Sequence, residues 1–249
     1  MEAFDGASIE IALVNNMPDN AAEATVRQFE TLLRRAGQGI AYRLTCYALP
    51  RSDVARCSTS KTHEDIEALY ARGADALIVT GAEPRAQSLA DEPFWEDFSR
   101  LVYWARNHTF GSLWSCLAAH GAAQLLSGVL RRRQKQKISG VFACSTTPGD
   151  WATRDAPAEI LVPHSRYNGL CRDDLEQSGY TVSSWSPLIG VDSFWRREPS
   201  LFLFRGIPNT LQTHWQMNSG EMFRVSSRES ARRFLKCQII TFQSPPRNR

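Results

Sequence analysis

The segment Leu113–Ala123, L-W-S-C-L-A-A-H-G-A-A, constrains this chain more than any other. An apolar run, Phe110–Trp114, has the length and composition of a buried strand, and a small-residue helix, Leu117–Leu126, follows it. Cys116 stands at the turn between them. A thiol so placed meets the first unpaired N–H groups of the helix, which stabilise a thiolate and can hold an oxyanion. Strand, nucleophile, helix is the arrangement of a nucleophile elbow. Ala118, Ala119 and Gly121 are small enough to let the helix pack close to the sheet. A buried structural cysteine is the competing reading of the same residue.

The rest of the chain alternates strands and helices. Ile9–Val14 reads as a strand, and Ala21–Ala36 as a helix with Val26, Phe29, Leu32 and Leu33 on one face. Tyr42–Leu49 is a strand, Glu64–Arg72 a helix, Asp75–Val79 a central strand, and Pro93–Asn107 an amphipathic helix. After the elbow, strands recur near Ile138–Cys144, Glu159–Val162, Tyr180–Ser184 and Leu201–Phe204, some of them in a hairpin or meander. Repeated βα units predict an α/β fold, a parallel-sheet three-layer sandwich with helices on both faces and ligands beyond the carboxyl ends of the strands. That places Gly81 and Cys116 on one edge.

Composition fits a soluble enzyme. A chain of 249 residues with 43% hydrophobic content can bury one sizeable core. No apolar run approaches the ~20 residues of a membrane span, and the first residues, M-E-A-F-D-G, do not read as a signal peptide. Six cysteines (46, 57, 116, 144, 171 and 237) lack paired C-x-x-C spacing. The pattern suits neither zinc nor a disulfide framework, so reduced thiols and a cytoplasmic location are expected.

Six stretches in order carry a family resemblance: Asn15-Asn16-Met17-Pro18, Val79-Thr80-Gly81-Ala82, Phe94-Trp95, the Cys116 elbow, Lys137-Ile138-Ser139-Gly140-Val141 and Pro163-His164-Ser165-Arg166-Tyr167. Together, across Ile9–Phe204, they resemble the homoserine O-succinyltransferase family. The resemblance implies a class I glutamine amidotransferase-like (flavodoxin-like) fold. It also implies a methionine-pathway acyltransferase that uses succinyl-CoA or acetyl-CoA as co-substrate and L-homoserine as acceptor, with no bound cofactor or metal. It further implies no nucleic-acid or membrane partner, and a homodimer.

The resemblance assigns Cys116 as nucleophile and Lys137 and Ser165 as substrate-contacting residues. A carboxylate-ended acyl donor needs a cation and a hydroxyl donor nearby, which supports both assignments. Without the resemblance, Lys137 reads as one solvated member of the run Arg131–Lys137, a run expected to face solvent near the phosphates of coenzyme A. Arg166 either pairs with a substrate carboxylate or salt-bridges within the fold. Oxyanion donors are expected from the backbone of Leu117 and of Gly81-Ala82, although a glycine can also serve a turn alone. Arg85 occupies the family position associated with acyl choice. It suits a dicarboxylic chain without deciding between succinyl and acetyl.

The character of the chain changes after Phe204. Residues 205–249 carry seven Arg and one Lys against two Glu, a net of +6, whereas residues 1–204 carry 21 basic and 24 acidic side chains. The expected organisation is therefore one acyltransferase domain, 1–204, and a basic tail, 205–249. A solvated end or an anion-binding tail would explain the charge, but the genetic code offers a closer account. The family pattern continues Phe-Gln-Gly-His-Pro-Glu-Tyr, where this chain reads Phe204-Arg205-Gly206-Ile207-Pro208-Asn209-Thr210. The string TTC CAG GGG CAT CCC GAA TAC encodes the former. Without one C of its second codon it reads TTC AGG GGC ATC CCG AAT AC, which encodes the latter. Residues from Arg205 onward thus read as the product of a one-nucleotide deletion or sequencing error.

The chemical consequence is direct. Acyl transfer to a hydroxyl needs a base and a group that orients it. The resemblance puts those roles at the positions of Ile207 and Asn209, neither of which can serve. A substrate-binding Arg would fall at Glu221. Of the other histidines, His120 lies one helical turn beyond Cys116, His164 sits in a pocket segment, His63 and His108 read as surface or helix-end residues, and His214 lies in the tail. Two competing functions remain: a glutamine amidotransferase-like hydrolase, and a non-catalytic pseudoenzyme whose basic tail binds an anionic partner.

Overall fold

The computed structural model describes residues 8–37, 41–50, 63–81, 84–154, 156–197 and 201–204. In chain order these form β1 (Ile9–Val14), α1 (Asp19–Gly37), β2 (Tyr42–Ala48), β3 (Glu64–Asp65), α2 (Ile66–Arg72), β4 (Ala76–Val79), α3 (Trp95–His108), β5 (Gly111–Ser115) and α4 (Leu117–Ser127). The second half adds β6 (Arg132–Thr146), β7 (Glu159–Gly169), α5 (Arg172–Gln177), β8 (Thr181–Ser186), β9 (Gly190–Arg196) and β10 (Leu201–Phe204).

Along β1 the side chains alternate between two cores, as a strand's period of two requires. Ile11 and Leu13 pack with Ile78 of β4 against Phe29 and Leu33 of α1. Ala12 and Val14 face the opposite side, with Leu77 and Val79, and meet α2, α3 and α4. A strand buried on both faces lies at the centre of a helix-covered sheet, and the expected sandwich follows. On α1, Ala22, Thr25, Phe29 and Leu33 are the buried face, at helical spacing.

One ten-stranded sheet runs β3-β2-β1-β4-β5-β10-β9-β8-β6-β7. Pairings from β3 through β5 to β10 are parallel, and those from β10 onward are antiparallel. The crossover helices serve the parallel half. The antiparallel half joins the β6–β7 hairpin to the run β8-β9-β10; the chain passes from β7 through α5 to β8, which pairs with β6.

Several boundaries differ from the sequence reading. Glu64 is not helical: Glu64–Asp65 pairs with Tyr47 and Ala48, and Asp65 caps α2 by accepting the Glu67 N–H at 2.9 Å. Phe110 lies just before β5 and is exposed, so the buried run begins one residue later. β6 starts at Arg132, inside the basic run, because Arg132 and Arg133 pair with Gly169 and Asn168 of β7. Residues 132–137 are exposed as expected. Arg131 is not. Half-buried, it donates to the Ala86 and Gln87 carbonyls at 2.9 and 2.7 Å. Gly121 packs against Phe98 of α3 rather than against the sheet.

Candidate active site

Three parallel strands deliver the site. β1, β4 and β5 end side by side, so Asn15 and Asn16, Thr80 and Gly81, and Cys116 leave the same edge of the sheet. Cys116 sits at the head of α4 with φ 57° and ψ −119°. It has the one positive φ among the described non-glycine residues. Such a conformation costs about 1–3 kcal/mol and persists where the surroundings enforce it. Here the enforcement comes from buried β5 on one side and buried α4 on the other, with Trp114, Leu117, Ala118 and Ala119 all enclosed.

Two neighbours favour the Cys116 thiolate: the Leu117 N–H, then the Arg166 guanidinium. Burial outweighs both and pushes the thiol above its ordinary value. The expectation of a thiolate stabilised by the helix end thus holds for the sign of that one contribution and fails for the total. At neutral pH the resting group is a thiol.

Gly81 supports the oxyanion expectation by its position. A Cβ added there would stand 2.5 Å from the Leu117 amide nitrogen and 2.9 Å from the Leu117 Cβ. Only a residue without a side chain brings the two backbones together beside Cys116. Ala82 lies outside the described residues. Behind Gly81, the Thr80 hydroxyl accepts the Asn16 N–H at 2.7 Å and donates to Asn15 Oδ1 at 3.2 Å. A narrow cleft opens next to this junction, lined by Asn16, Gly81 and Leu117 and walled by Phe94, Trp95 and Phe98.

Strand β7 sorts the remaining predicted residues onto two faces, as its period of two dictates. His164 and Arg166 share one, Ser165 and Tyr167 the other. Arg166 is tied to backbone carbonyls, donating to Asn168 at 3.0 Å and Ile189 at 2.6 Å. Burial lowers its pKa, while Asp192, Cys116 and Cys144 oppose that shift. Its charge is therefore felt at the nucleophile. Lys137 is exposed, with Nζ 5.8 Å from the centre of the Tyr167 ring, and Arg133 lies 5.1 Å from the same ring. Ser165, half-buried, pairs with Ser139 across the ladder. Among the predicted site residues the structure thus brings Cys116, Gly81 and Arg166 together, with Lys137 beside the Tyr167 ring and Ser165 on the same face of β7 as that ring.

Neither His120 nor His164 is a ready base for Cys116. His120 is buried, and its pKa is pushed down to about 3 by burial first, then by Arg166 and Arg131. A base poised near neutrality it is not. His164 is fully buried, with Nε2 3.1 Å from Asp192 Oδ1 but out of hydrogen-bond alignment. Asp192 Oδ2 in turn accepts from Ser184 Oγ at 2.7 Å. His63 is half-buried with its Nε2 3.4 Å from Asn15 Nδ2, so it is not a plain surface residue. His108 is exposed at the end of α3, stacked on Trp104. Position 207 lies outside the described residues. Among them, no group of three or more His, Cys, Asp or Glu could hold a metal.

Sequence reasoning passed over Asp192 and the Asn16–Thr80 pair as site residues. Asp192 lies in β9, whose run G-V-D-S-F-W-R breaks strand alternation with buried polar residues. Its one signal is that it is the single acid of that strand. Asn16 and Thr80 stood in plain view within the motifs, but only the fold sets them against each other.

Comparison with known proteins bears on this geometry. The family model described as homoserine O-succinyltransferase matches residues 2–218. A homoserine O-succinyltransferase of Bradyrhizobium japonicum is 40% identical over 250 residues, covering 99% of this chain and 75% of the relative. One of Rhodopseudomonas palustris is 47% identical over 199 residues, covering 79% and 60%. The chain thus spans 60–75% of the length of these relatives. Among solved structures, a glutamine amidotransferase of Thermotoga maritima aligns with a TM-score of 0.57 at 13% identity over 94% of this chain and 96% of that one. Another, of Methylobacillus flagellatus, gives 0.60 at 12% identity over 97% and 98%. At such identity these two show the shared fold. The relatives and the family match show more: this chain belongs to the homoserine O-succinyltransferase family.

Proposed function

We propose that the parent of this chain transfers a succinyl or acetyl group from coenzyme A to the L-homoserine hydroxyl through an acyl-enzyme on Cys116. The observation that carries the reading is the strained Cys116 backbone at the head of α4, with Gly81 pressed against the Leu117 amide. Cys116 Sγ attacks the thioester carbonyl carbon, and backbone N–H donors receive the oxyanion. The carbon–sulfur bond to coenzyme A breaks, and the departing thiolate takes up the proton lost by Cys116. The homoserine oxygen then attacks the acyl-enzyme, giving its proton to a base as the Cys116 thiolate leaves. Lys137 and Ser165 serve substrate binding, and Arg166 supports the thiolate. A cytoplasmic homodimer fits the family.

The second half-reaction is where this chain falls short. With Ile207 and Asn209 in the family's His and Glu positions, the nucleophile is retained and its base is lost. The out-of-frame origin of residues 205–249 is part of the same proposal. Mass spectrometry after mixing with succinyl-CoA tests the chemistry: a succinyl adduct is expected on the peptide that contains Cys116, and Cys116→Ala should remove it. An adduct that survives that substitution, or none at all, sinks the reading. A glutamine amidotransferase-like hydrolase would instead release ammonia from glutamine, and a pseudoenzyme with an anion-binding tail would form no adduct.

A further inference from the structure

Of the residues that line the cleft beside the elbow, Asn16 is the one with a side-chain polar atom buried without a partner, among the described residues. The residue is 6% exposed. Its backbone N–H donates to Thr80 Oγ1 at 2.7 Å, and its Nδ2 donates to the Thr80 carbonyl at 3.0 Å. Exchanging the amide nitrogen and oxygen would set two carbonyls against each other, so the leftover atom is the acceptor Oδ1. The pair is anchored further. Thr80 Oγ1 donates to Asn15 Oδ1, and Asn15 Nδ2 donates to the Ala22 carbonyl of α1 at 2.9 Å. A carbonyl held this rigidly, enclosed and unsatisfied, costs stability unless something donates to it.

The walls say what that something is. Phe94, Trp95 and Phe98 offer apolar surface, and among the described residues no carboxylate or cation lines the cleft. An ammonium would arrive there without a counter-ion, and a carboxylate would meet the lone pairs of Oδ1. An uncharged amide N–H matches: one donor, a flat apolar body and no charge to desolvate. The approach is fixed as well. Glu92 Oε1 accepts the Arg85 and Ala86 N–H groups at 2.7 and 2.8 Å, and Arg131 holds the carbonyls of Ala86 and Gln87. The segment leading to Leu89 and Phe94 is thereby tied down.

We infer that Asn16 Oδ1 accepts a hydrogen bond from the amide N–H nearest the thioester in the pantetheine arm of the acyl donor. The inference rests on the acyl-transfer reading above. Only two methylenes separate that N–H from the thioester sulfur, and Asn16 and Cys116 leave the same edge of the sheet. Asn16 is then a recognition residue for the donor, and the amino-acid acceptor owes it nothing.

Two donors test this on the intact chain: succinyl-pantetheine, and its analogue with an ester oxygen in place of that N–H. The readout is the rate of adduct formation on Cys116, which needs no acceptor. The amide donor should react about 10–100-fold faster, the usual worth of a hydrogen bond whose loss leaves a buried acceptor bare. In Asn16→Ala or Asn16→Ser the two donors should react alike. Equal rates in the unaltered chain overturn the inference without any variant, so misfolding of a variant cannot shelter it. Discrimination that survives in a folded variant also overturns it. An adduct from neither donor overturns the acyl-transfer reading and takes this inference with it.

Discussion

Gly81 and Leu117 meet backbone to backbone: a Cβ on Gly81 would stand 2.5 Å from the Leu117 amide nitrogen. No real side chain tolerates that, and the obstacle is main chain that cannot swing away. Gly81→Ala should therefore shift β4 against α4, costing about 1–3 kcal/mol as overpacking does. The Leu117 N–H lies at the point of contact, so acylation of Cys116 should fall further than stability does. Thermal unfolding and adduct rate, measured on one preparation, separate the two. A variant as stable and as reactive as the parent would remove Gly81 from the site.

Gly121 tests a different balance. Replacing a helical glycine by alanine ordinarily gains about 1 kcal/mol. Here the added Cβ would lie 2.4 Å from Phe98 Cε1, and Phe98 is itself wedged among Phe94, Trp95 and Trp114. The clash should win. Gly121→Ala is expected to lower the unfolding midpoint in urea, and a raised midpoint would show that the ring can yield.

How much of this was legible in the sequence depends on what wrote it. The parallel half was readable because burial on both faces leaves unbroken apolar runs, such as A-L-I-V in β4, and because Cys116 sits between such a run and a helix of small residues. The antiparallel half hid its extent. β6 begins in six exposed charged or amide residues, anchored where Arg132 and Arg133 pair with β7 ahead of an irregularity in the ladder, and pairing leaves no mark on composition. β9 was missed because its buried polar residues serve each other: Asp192 and Ser193 both engage Ser184 across the meander. The net rise in the Cys116 pKa was equally unreadable. Depth of burial belongs to the fold, and the helix end alone pointed the other way.

His120 gives the fold a pH dependence. In the folded chain its pKa is pushed down to about 3, by burial and by the charges of Arg166 and Arg131, against an ordinary 6.5. Between those values the unfolded chain binds a proton that the folded chain refuses, so stability is full above about pH 6.5 and falls as pH drops. The slope approaches about 1.4 kcal/mol per pH unit for this one group. Urea titrations from pH 7 to pH 4 should show it, and His120→Asn should flatten the slope whatever its absolute stability. An unchanged slope in the variant would assign the acid sensitivity elsewhere.

Cys116 reactivity should carry the sign of its surroundings. Because burial raises the thiol above its ordinary value while Arg166 opposes the rise, alkylation by iodoacetamide should climb about tenfold per pH unit from pH 7 to 8.5. Arg166→Met removes the opposing cation and should slow alkylation throughout that range. Peptide mapping separates Cys116 from the other five cysteines. Faster alkylation in Arg166→Met would show that the guanidinium shields the thiol rather than favouring its ionisation.

Restoring the reading frame is the most demanding test. Reinserting one nucleotide in the Phe204–Arg205 codons should return Gln-Gly-His-Pro-Glu-Tyr in place of Arg205 to Thr210, bringing back a base and its orienting carboxylate together. General-base catalysis is typically worth about 10²–10⁴-fold, and the loss of a cooperating unit costs at least as much. The acyl-enzyme on Cys116 should form in both proteins, because its nucleophile and its Gly81–Leu117 junction are common to both. Homoserine-dependent turnover should rise by at least ~10²-fold in the repaired chain, and Cys116→Ala should abolish it. If the repaired protein folds and acylates Cys116 but transfers to homoserine no faster, then the missing His and Glu do not explain the deficit, and the out-of-frame account of residues 205–249 fails with them.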